Sequence, residues 1–436
     1  MNPRTIYDWL IVPTMWVGFH ACSPFVKKVS QGIRGRVGWK QTLRKWADSR
    51  RGDKPVWLFH AASVGELEAL RPIINRLDLK GIIRIVVTVF SPSAYGTVQK
   101  IPGVELLAYL PFDLINNQRF LLDILQPELV VISKHDVWPN LLVAAHERNI
   151  STALINANIH SGSMRTYPGF RWFNSWLFSM FDGIAAVSES HSKRLQPLLD
   201  GSVICESLGD SRYDRVLERV GNKPEQVIAK KELLKGSLVI VAGSTHPHEE
   251  KLLVSAIVEL LPEFPDLFVI WVPHDPDPHE LSGLEQHLQA HGLETTRWSD
   301  NKAFKGLSGV IVDVVGILAE LYSLGDVALV GGGFDKGVHS VIEPAAAGLP
   351  VLFGPRFHVS QEASYLLELG GGFVFRNGNE LTALLRSFIC DSDRLKLKTA
   401  AANAKSVVDE NLGASDRIID FLEGILSRHH DKKASG

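Results

Sequence analysis

Cysteine is scarce in this sequence, and its scarcity excludes two kinds of site. Cys22, Cys205 and Cys390 are the three cysteines in 436 residues. Their odd number and wide spacing provide neither a disulfide framework nor the ligand spacing of a structural zinc site. Such a cysteine content suits a reducing compartment, and we expect the folded domains to face the cytoplasm.

The sequence also lacks an excess of charge of either sign. Its 46 Lys and Arg residues nearly balance 48 Asp and Glu residues, which leaves a formal net charge of -2. No global field attracts nucleic acid, so we expect no nucleic-acid partner. Internal repeats and low-complexity segments are missing as well, and we expect only the tail His429–Gly436 to be disordered.

A long uninterrupted apolar run is a further absence. The most apolar stretch, residues 9–25, is roughly 17 residues long and is interrupted at Pro13 and Gly18. No small-residue cleavage site follows it, so we expect an uncleaved anchor or an interfacial helix. The basic residues behind it would face anionic headgroups, unless they form a solvated basic helix. They are Lys27, Lys28, Arg34, Arg36, Lys40, Arg44, Lys45, Arg50 and Arg51.

What the sequence does contain is an alternation of apolar strands and helices, in a chain too long for one ordinary core. Short buried strands separated by helical segments predict α/β domains with doubly wound parallel sheets. A first series of strands covers residues 56–59, 82–89, 106–109, 129–132, 152–156 and 183–187, and a second covers 238–242, 267–272, 309–312, 327–330 and 351–353.

We therefore predict two Rossmann-like domains that face each other across a cleft, because ligands bind at the carboxyl ends of parallel strands. The predicted boundaries are 1–50 for the N-terminal anchor and basic helix, 51–215 for the first domain, 216–410 for the second, and 411–436 for a C-terminal helix and tail.

The segment Val327–Pro355 is the strongest local signal of a nucleotide site. A strand runs into Gly331, Gly332 and Gly333, a helix opens at Glu343, and a further strand follows. Glu343 is placed to accept hydrogen bonds from a ribose diol. The alternatives are a plain strand-to-loop turn at the glycines and a helix-dipole role for Glu343.

A second candidate is the loop His60–Glu66, which follows the first strand. Glu66 begins a helix at the cleft edge, where apolar neighbours can raise the pKa of a glutamate toward that of a general base. The alternative is a capping box, in which Ser63 is the N-cap and Glu66 is its partner three residues later.

The loop Gly243–Glu250 occupies the corresponding position in the second domain. Ser244, Thr245 and the following helix terminus can bind a phosphate. We do not expect a metal there, because His246 and His248 lack a third ligand at the usual spacing. Further polar residues come at the ends of neighbouring strands, with a helix cap or an exposed surface position as the alternative; they are Asp313 with Gly316, Lys336, His339 and Arg356.

Taken in order, these motifs resemble the 3-deoxy-D-manno-octulosonic acid (Kdo) transferases, glycosyltransferases of lipopolysaccharide assembly. The resemblance covers the chain from residue 56 to about 410. It rests on His60–Glu66, Trp138–Asn140, Asn156–Ala157, Gly243–Pro247, Asp313 with Gly316, Gly331–Phe334, Lys336–His339, Glu343–Ala345 and Phe353–Pro355.

The resemblance implies a GT-B fold and an inverting, metal-independent transfer without a cofactor. It implies that Kdo moves from CMP-Kdo to the lipid A precursor at the cytoplasmic face of the inner membrane, with Glu66 as the catalytic base. On this basis the acceptor would contact Ser63, Lys134, Asp136 and Asn156. The donor would contact Ser244, Thr245, His246, Asp313, Gly316, Gly332, Gly333, Lys336, His339, Glu343 and Arg356.

The chain departs from the family pattern in three places, one of which is Ser340, where an asparagine commonly follows the histidine. Lys134-His135-Asp136 stands where many members have two glutamates, so one acidic residue is lost and another is shortened. His274 and Asp275 stand where the usual motif has Arg-His, which removes an arginine near the donor. Two alternative functions stay open: a GT-B transferase or 2-epimerase that uses a UDP-sugar, and an inactive membrane-associated binding protein.

Overall fold

The computed structural model describes residues 2–50, 52–98, 101–134, 136–159, 167–221, 237–300, 306–358, 360–390 and 394–435, together with Val227, Leu234 and Phe304. The described chain divides into two compact units. The first is Met1–Arg215 with Gly413–Gly436, and the second is Val216–Leu412.

The first unit is built on a parallel sheet in the order β3-β2-β1-β4-β5-β6-β7. Its three central strands are buried along their whole length, because helices cover both faces of the sheet and neither face is left to polar side chains. The strands are β1 (Val56–Ala61), β2 (Arg84–Val89), β3 (Val104–Tyr109), β4 (Leu129–Ser133), β5 (Ser151–Ala157), β6 (Gly183–Ala186) and β7 (Ile204–Ser207).

The second unit repeats this plan in the order β10-β11-β9-β8-β12-β13-β14, and every described strand pair in it is parallel. The strands are β8 (Leu238–Thr245), β9 (Leu267–Pro273), β10 (Thr295–Arg297), β11 (Gly309–Ile311), β12 (Val327–Val330), β13 (Val351–Phe353) and β14 (Gly372–Val374).

The described helices connect these strands and cover both sheets. They are α1 (Pro3–Ile6), α2 (Val12–Cys22), α3 (Lys27–Gly35), α4 (Trp39–Ser49), α5 (Val64–Lys80), α6 (Pro92–Val98), α7 (Ile115–Leu125), α8 (Pro139–His146), α9 (Pro168–Phe178), α10 (Glu189–Leu195), α11 (Arg212–Gly221), α12 (Pro247–Leu260), α13 (Pro278–Ala290), α14 (Leu318–Leu321), α15 (Ile342–Ala346), α16 (Gln361–Glu368), α17 (Gly378–Ile389), α18 (Leu395–Asp409) and α19 (Ala414–Ser435).

The predicted strands are confirmed, but three of the four edge strands described in the two sheets were not predicted. These edge strands are β7, β10 and β14. These strands have three or four residues, and β7 is only partly buried. A short, half-exposed strand has too few apolar positions to produce a recognisable pattern.

The N-terminal segment packs on the first unit through one face. Tyr7 and Val12 are buried, and the Tyr7 hydroxyl donates to Asp113 Oδ2 at 2.8 Å. Among the described residues, no single helix is long and apolar enough to cross a bilayer. The pair Pro3–Cys22 and Lys27–Gly35 reaches that length and composition only together, and it is bent by 116°.

Arg36 corrects one part of the basic-segment prediction. Its guanidinium is buried and donates to the carbonyls of Leu110, Gly32 and Phe90, rather than facing outward. Burial lowers the pKa of Arg36 to about 10, which leaves it charged at neutral pH. This residue therefore stabilises the fold and is not available to lipid headgroups.

The C-terminal helix α19 returns to the first unit and covers its sheet. Gly183 in β6 makes room for it, since a Cβ there would lie 2.5 Å from Ile425 Cδ1 and 2.7 Å from Phe421 Cζ. The prediction of a disordered tail was wrong for the described residues, because α19 continues to Ser435. Once a helix has formed its first turns, each further residue extends it at little cost in free energy.

The start of α19 depends on one buried carboxylate. Asp214 accepts from the N–H groups of Gly413 and Ser415, each at 2.7 Å. We expect Asp214→Ala to lower the free energy of unfolding by about 2 kcal/mol, because two donors at a helix start lose a charged acceptor. Urea unfolding measures this change. Asp420→Ala, on the exposed side of the same helix, is the control and should have little effect; equal losses in both variants would contradict the prediction.

Candidate functional site

Glu66 lies in the first turn of α5, directly after β1. Its side chain is buried, with the residue 9% exposed, and Oε2 accepts from the N–H of Ala62 at 2.6 Å. The capping-box alternative is only half realised. Ser63 Oγ accepts from the N–H of Glu66 at 3.4 Å, but the glutamate bonds to Ala62 rather than to the cap residue itself.

The surroundings of Glu66 raise its pKa. The main cause is burial, to which the charge of Asp136 adds. The hydrogen bond from Ala62 and the nearby His60 and Lys134 act in the opposite direction. A carboxylate with a raised pKa is suited to accept a proton from a hydroxyl group.

Asp136 is fixed beside Glu66 by two ring groups. Its Oδ2 lies 3.2 Å from His60 Nε2 and accepts from Trp138 Nε1 at 2.8 Å. His60 is fully buried, and its Nδ1 lies 3.1 Å from both the carbonyl and the hydroxyl oxygen of Thr88. The predicted position His135 lies outside the described residues.

Lys134 directly follows β4 and Asn156 is the penultimate residue of β5, and both have a left-handed backbone, with φ of 61° and 51°. Asn156 has a structural role: it is fully buried, and its Oδ1 accepts from the N–H and the hydroxyl of Ser211, each at 3.0 Å. Its predicted contact with an acceptor stays a prediction.

Asp210 and Arg212 belong to the same edge, although sequence reasoning assigned them no role. The Arg212 guanidinium donates to Asp210 Oδ2 at 2.6 and 2.8 Å. Burial alone would raise the pKa of Asp210, but the charges of Arg212 and Lys134 outweigh it and keep the pKa below its ordinary value. Asp210 is therefore a fixed negative charge, in contrast to Glu66.

In the second unit, the end of β8 is shaped by close packing. A Cβ on Gly243 would overlap the hydroxyl of Tyr322, and Ser244 has a φ of 51°. Thr245 is buried, and its hydroxyl donates to Glu250 Oε1 at 2.9 Å. Burial is the main cause of the raised pKa of Glu250.

The three glycines after β12 allow backbone segments to touch. A Cβ on Gly333 would meet the backbone of Gly354 at 2.5 Å, and Gly332 has a φ of 85°. The N–H of Gly332 donates to Glu249 Oε1 at 3.0 Å. A simple strand-to-loop turn does not require this close packing.

Glu343 opens α15 and is held by Arg219, which sequence reasoning also missed. Arg219 NH1 donates to Glu343 Oε1 at 3.2 Å, and its NH2 lies 3.3 Å from the carbonyl of Gly316. Glu320 lies 3.5 Å from the same guanidinium. Arg219 thus links two predicted donor residues, Glu343 and Gly316.

His246 and His339, both predicted donor residues, form a cluster with His274. Nε2 of His246 lies 3.1 Å from Nε2 of His339, and the rings of His274 and His339 stack at 4.3 Å. Burial, together with His274 and His246, lowers the pKa of His339 to about 4.

Three further predicted donor residues are Lys336, Arg356 and Asp313. Lys336 is exposed. Arg356 NH1 donates to the carbonyl of Asp335 at 2.5 Å. The contacts described for Asp313 are with Ser299, whose N–H donates to Oδ1 at 3.0 Å and whose hydroxyl donates to Oδ2.

Comparison with known proteins gives one consistent family. The model of the 3-deoxy-D-manno-octulosonic-acid transferase (kdotransferase) family matches residues 31–215. The 3-deoxy-D-manno-octulosonic acid transferase of Chlamydophila psittaci is 31% identical over 329 residues, which cover 74% of each chain. The enzyme of the same name from Haemophilus influenzae is 27% identical over 381 residues, or 85% of this chain and 87% of that one.

Solved structures show the same fold at low identity. A UDP-N-acetylglucosamine 2-epimerase aligns with a TM-score of 0.56 at 14% identity, covering 83% of this chain and 95% of that one. MurG of Acinetobacter baumannii aligns with a TM-score of 0.53 at 13% identity, covering 85% and 99%. These likenesses bear on the fold alone, and they confirm the predicted GT-B class.

The sequence relatives identify the family, which the fold alone does not, because identity of this extent over most of both chains reflects common descent. The chain belongs to the Kdo transferase family and is a glycosyltransferase of that type.

Proposed function

We propose that this enzyme transfers Kdo from CMP-Kdo to the glucosamine 6-hydroxyl of a lipid A precursor, with inversion, in lipopolysaccharide biosynthesis. The observation that carries the proposal is Glu66, a buried glutamate with a raised pKa, in a chain whose relatives are named Kdo transferases. The order of the motifs around it supports the same reaction.

In the proposed reaction, Glu66 removes the proton from the acceptor hydroxyl. The oxygen then forms a bond to the anomeric carbon of Kdo from the face opposite the leaving group. The bond between that carbon and the phosphate oxygen breaks, and CMP leaves with the electron pair. The base removes the proton as the hydroxyl oxygen attacks. Exclusion of water from the site is what prevents hydrolysis of the donor.

The donor would be held by the edge of the second sheet. Glu343 accepts hydrogen bonds from the cytidine ribose in this proposal, and Arg219 orients the Glu343 carboxylate for that contact. The donor phosphate would lie near Ser244 and the glycines after β12, where the start of α12 favours negative charge.

The acceptor would be brought to Glu66 by the membrane surface. We propose that the N-terminal segment lies on the cytoplasmic face of the inner membrane rather than crossing it, since one face packs on the first unit. The other face presents Trp9 at 82% exposure and Phe25 at 87% exposure, with Lys27 and Lys28 directly behind. Aromatic and basic residues in this arrangement favour an interfacial position.

The first test is Glu66→Gln, which keeps the size of the side chain and removes the base. Incubation with CMP-Kdo and tetraacylated lipid A precursor, followed by mass analysis of the lipid, should show transfer reduced by roughly 10²- to 10⁴-fold. Glu68→Gln is the matched control on the same helix, where Arg71 and Arg215 engage the carboxylate, and it should retain activity. Undiminished transfer in Glu66→Gln would exclude this glutamate as the base. A wild-type protein that uses UDP-sugars and not CMP-Kdo would overturn the proposed donor.

The second test uses the two charged neighbours of Glu66, which act in opposite directions. Asp136 raises the pKa of Glu66 and Lys134 lowers it. With Asp136→Asn the pKa of Glu66 should fall, so the acidic limb of the kcat profile should move to lower pH. With Lys134→Met the same limb should move to higher pH. Shifts of the same sign in both variants, or no shift in either, are incompatible with Glu66 as the titrating base.

The third test addresses the membrane surface. We expect the double variant Trp9→Ser, Phe25→Ser to bind vesicles of anionic phospholipid at least about tenfold more weakly, because two large apolar groups no longer leave water. Co-sedimentation with the vesicles measures the binding. Leu79→Ser removes an equally exposed apolar residue of α5 and serves as control. If all variants bind equally well, the exposed face of the N-terminal segment is not the contact.

A further inference from the structure

Three histidines of the second unit converge, although they are far apart in sequence. His246, His274 and His339 follow β8, β9 and β12, and we call them the histidine triad. One ring nitrogen from each lies within 4.8 Å of the other two. His246 and His339 are the closest pair, with their Nε2 atoms 3.1 Å apart.

The backbone N–H of each member of the triad donates a hydrogen bond that holds the residue in place. The N–H of His274 donates to the carbonyl of Thr245 at 2.9 Å, and the N–H of His339 donates to the carbonyl of Gly331 at 3.0 Å. The N–H of His246 donates to Glu249 Oε2 at 3.3 Å. Because the backbone of all three residues is fixed at one sheet edge, a ligand that binds the rings has to order only their side chains.

We propose that the histidine triad binds one divalent transition-metal ion of the zinc, cobalt or nickel class. Three neutral imidazoles are a ligand set that such ions prefer. In a tetrahedral zinc site with Zn–N bonds of about 2.0 to 2.1 Å, neighbouring nitrogens lie about 3.3 Å apart. The 3.1 Å separation between His246 and His339 is close to that spacing, and His274 is the third ligand within reach.

The rings must turn before their lone pairs meet at one point. His274 and His339 are nearly parallel, at 12°, and the side chain of His246 faces the N–H of Glu249 as an N-cap. Binding through Nε2 keeps the proton on Nδ1, so His246 gives up that cap. Rotation about χ2 is soft for histidine, and the exposed position of His274 leaves room for it.

The bound ion would keep at least one position open. Three protein ligands leave the fourth position of a tetrahedral ion to water or to an oxygen of a small molecule, as in catalytic zinc sites. His274 is exposed and the other two rings are partly exposed, so solvent reaches the triad. The proposal requires no step of the proposed transfer reaction, and it is tested without donor or acceptor.

The experiment is a titration of the untagged, chelator-treated protein with Zn²⁺ by calorimetry and with Co²⁺ by visible absorption. We expect one equivalent to bind, and we expect Co²⁺ to develop the intense bands of a site with fewer than six ligands. Single replacements His246→Asn, His274→Asn and His339→Asn should each weaken binding by about 100-fold, because one of three protein ligands is lost. Circular dichroism melting checks that each variant is folded.

His248→Asn is the matched control, because it changes the neighbouring histidine that sequence spacing would pair with His246. The ring of His248 lies against Phe334 instead, 4.7 Å from it, and metal affinity should be unchanged. Absence of binding by the folded wild-type protein would overturn the proposal. So would binding that persists in all three triad variants, or binding that is lost in His248→Asn. These measurements use neither donor nor acceptor, and the Glu66→Gln assay tests Kdo transfer separately.

Discussion

The alignment of parallel strand ends is the constraint on which both candidate sites depend. In each unit the central strands end at one edge, and their register determines which side chains emerge there. In the second unit Gly243 pairs with Val272 and Thr245 with Pro273, so the next residue along each strand delivers His246 and His274. A Cβ on Gly331 would overlap the carbonyl of Ser244, so the glycines are needed to keep these strand ends together. A side chain there would separate the strands and disperse the groups that they present.

Two buried carboxylates at these edges have pKa values that are shifted in opposite directions. Glu66 and Asp210 are both buried carboxylates, and desolvation raises the pKa of each. Asp210 has a guanidinium within 2.6 Å, and its pKa falls. Glu66 accepts a neutral N–H, and its pKa rises. The placement of a single arginine therefore separates a permanently charged structural group from one that can exchange a proton.

The sequence predicted the interior of the fold better than its edges and its polar contacts. Inner strands such as β1 and β12 are continuous apolar runs, so their positions follow from pattern alone. The glutamates at 66 and 343 could be identified because each follows a strand and opens a helix. Arg219 and Arg36 could not be assigned, since nothing in a sequence distinguishes an arginine that binds buried carbonyls or a carboxylate from a solvated one. The histidine triad was missed because its members belong to three loops. The spacing of histidines along the sequence pairs His246 only with near neighbours such as His248.

The departures from the family pattern at 134 and 136 have opposite effects on the pKa of Glu66, which the sequence alone did not reveal. Asp136 is shorter than the glutamate that many members have, and its carboxylate accepts from Trp138 and lies beside His60. It also raises the pKa of Glu66. Lys134 replaces an acidic residue with a cation that lowers the same pKa and lowers that of Asp210. With these two changes, Glu66 lies near one carboxylate, Asp136, and one ammonium group, Lys134. Its pKa therefore depends on the balance of these two opposite charges and on burial, rather than on a cluster of like charges.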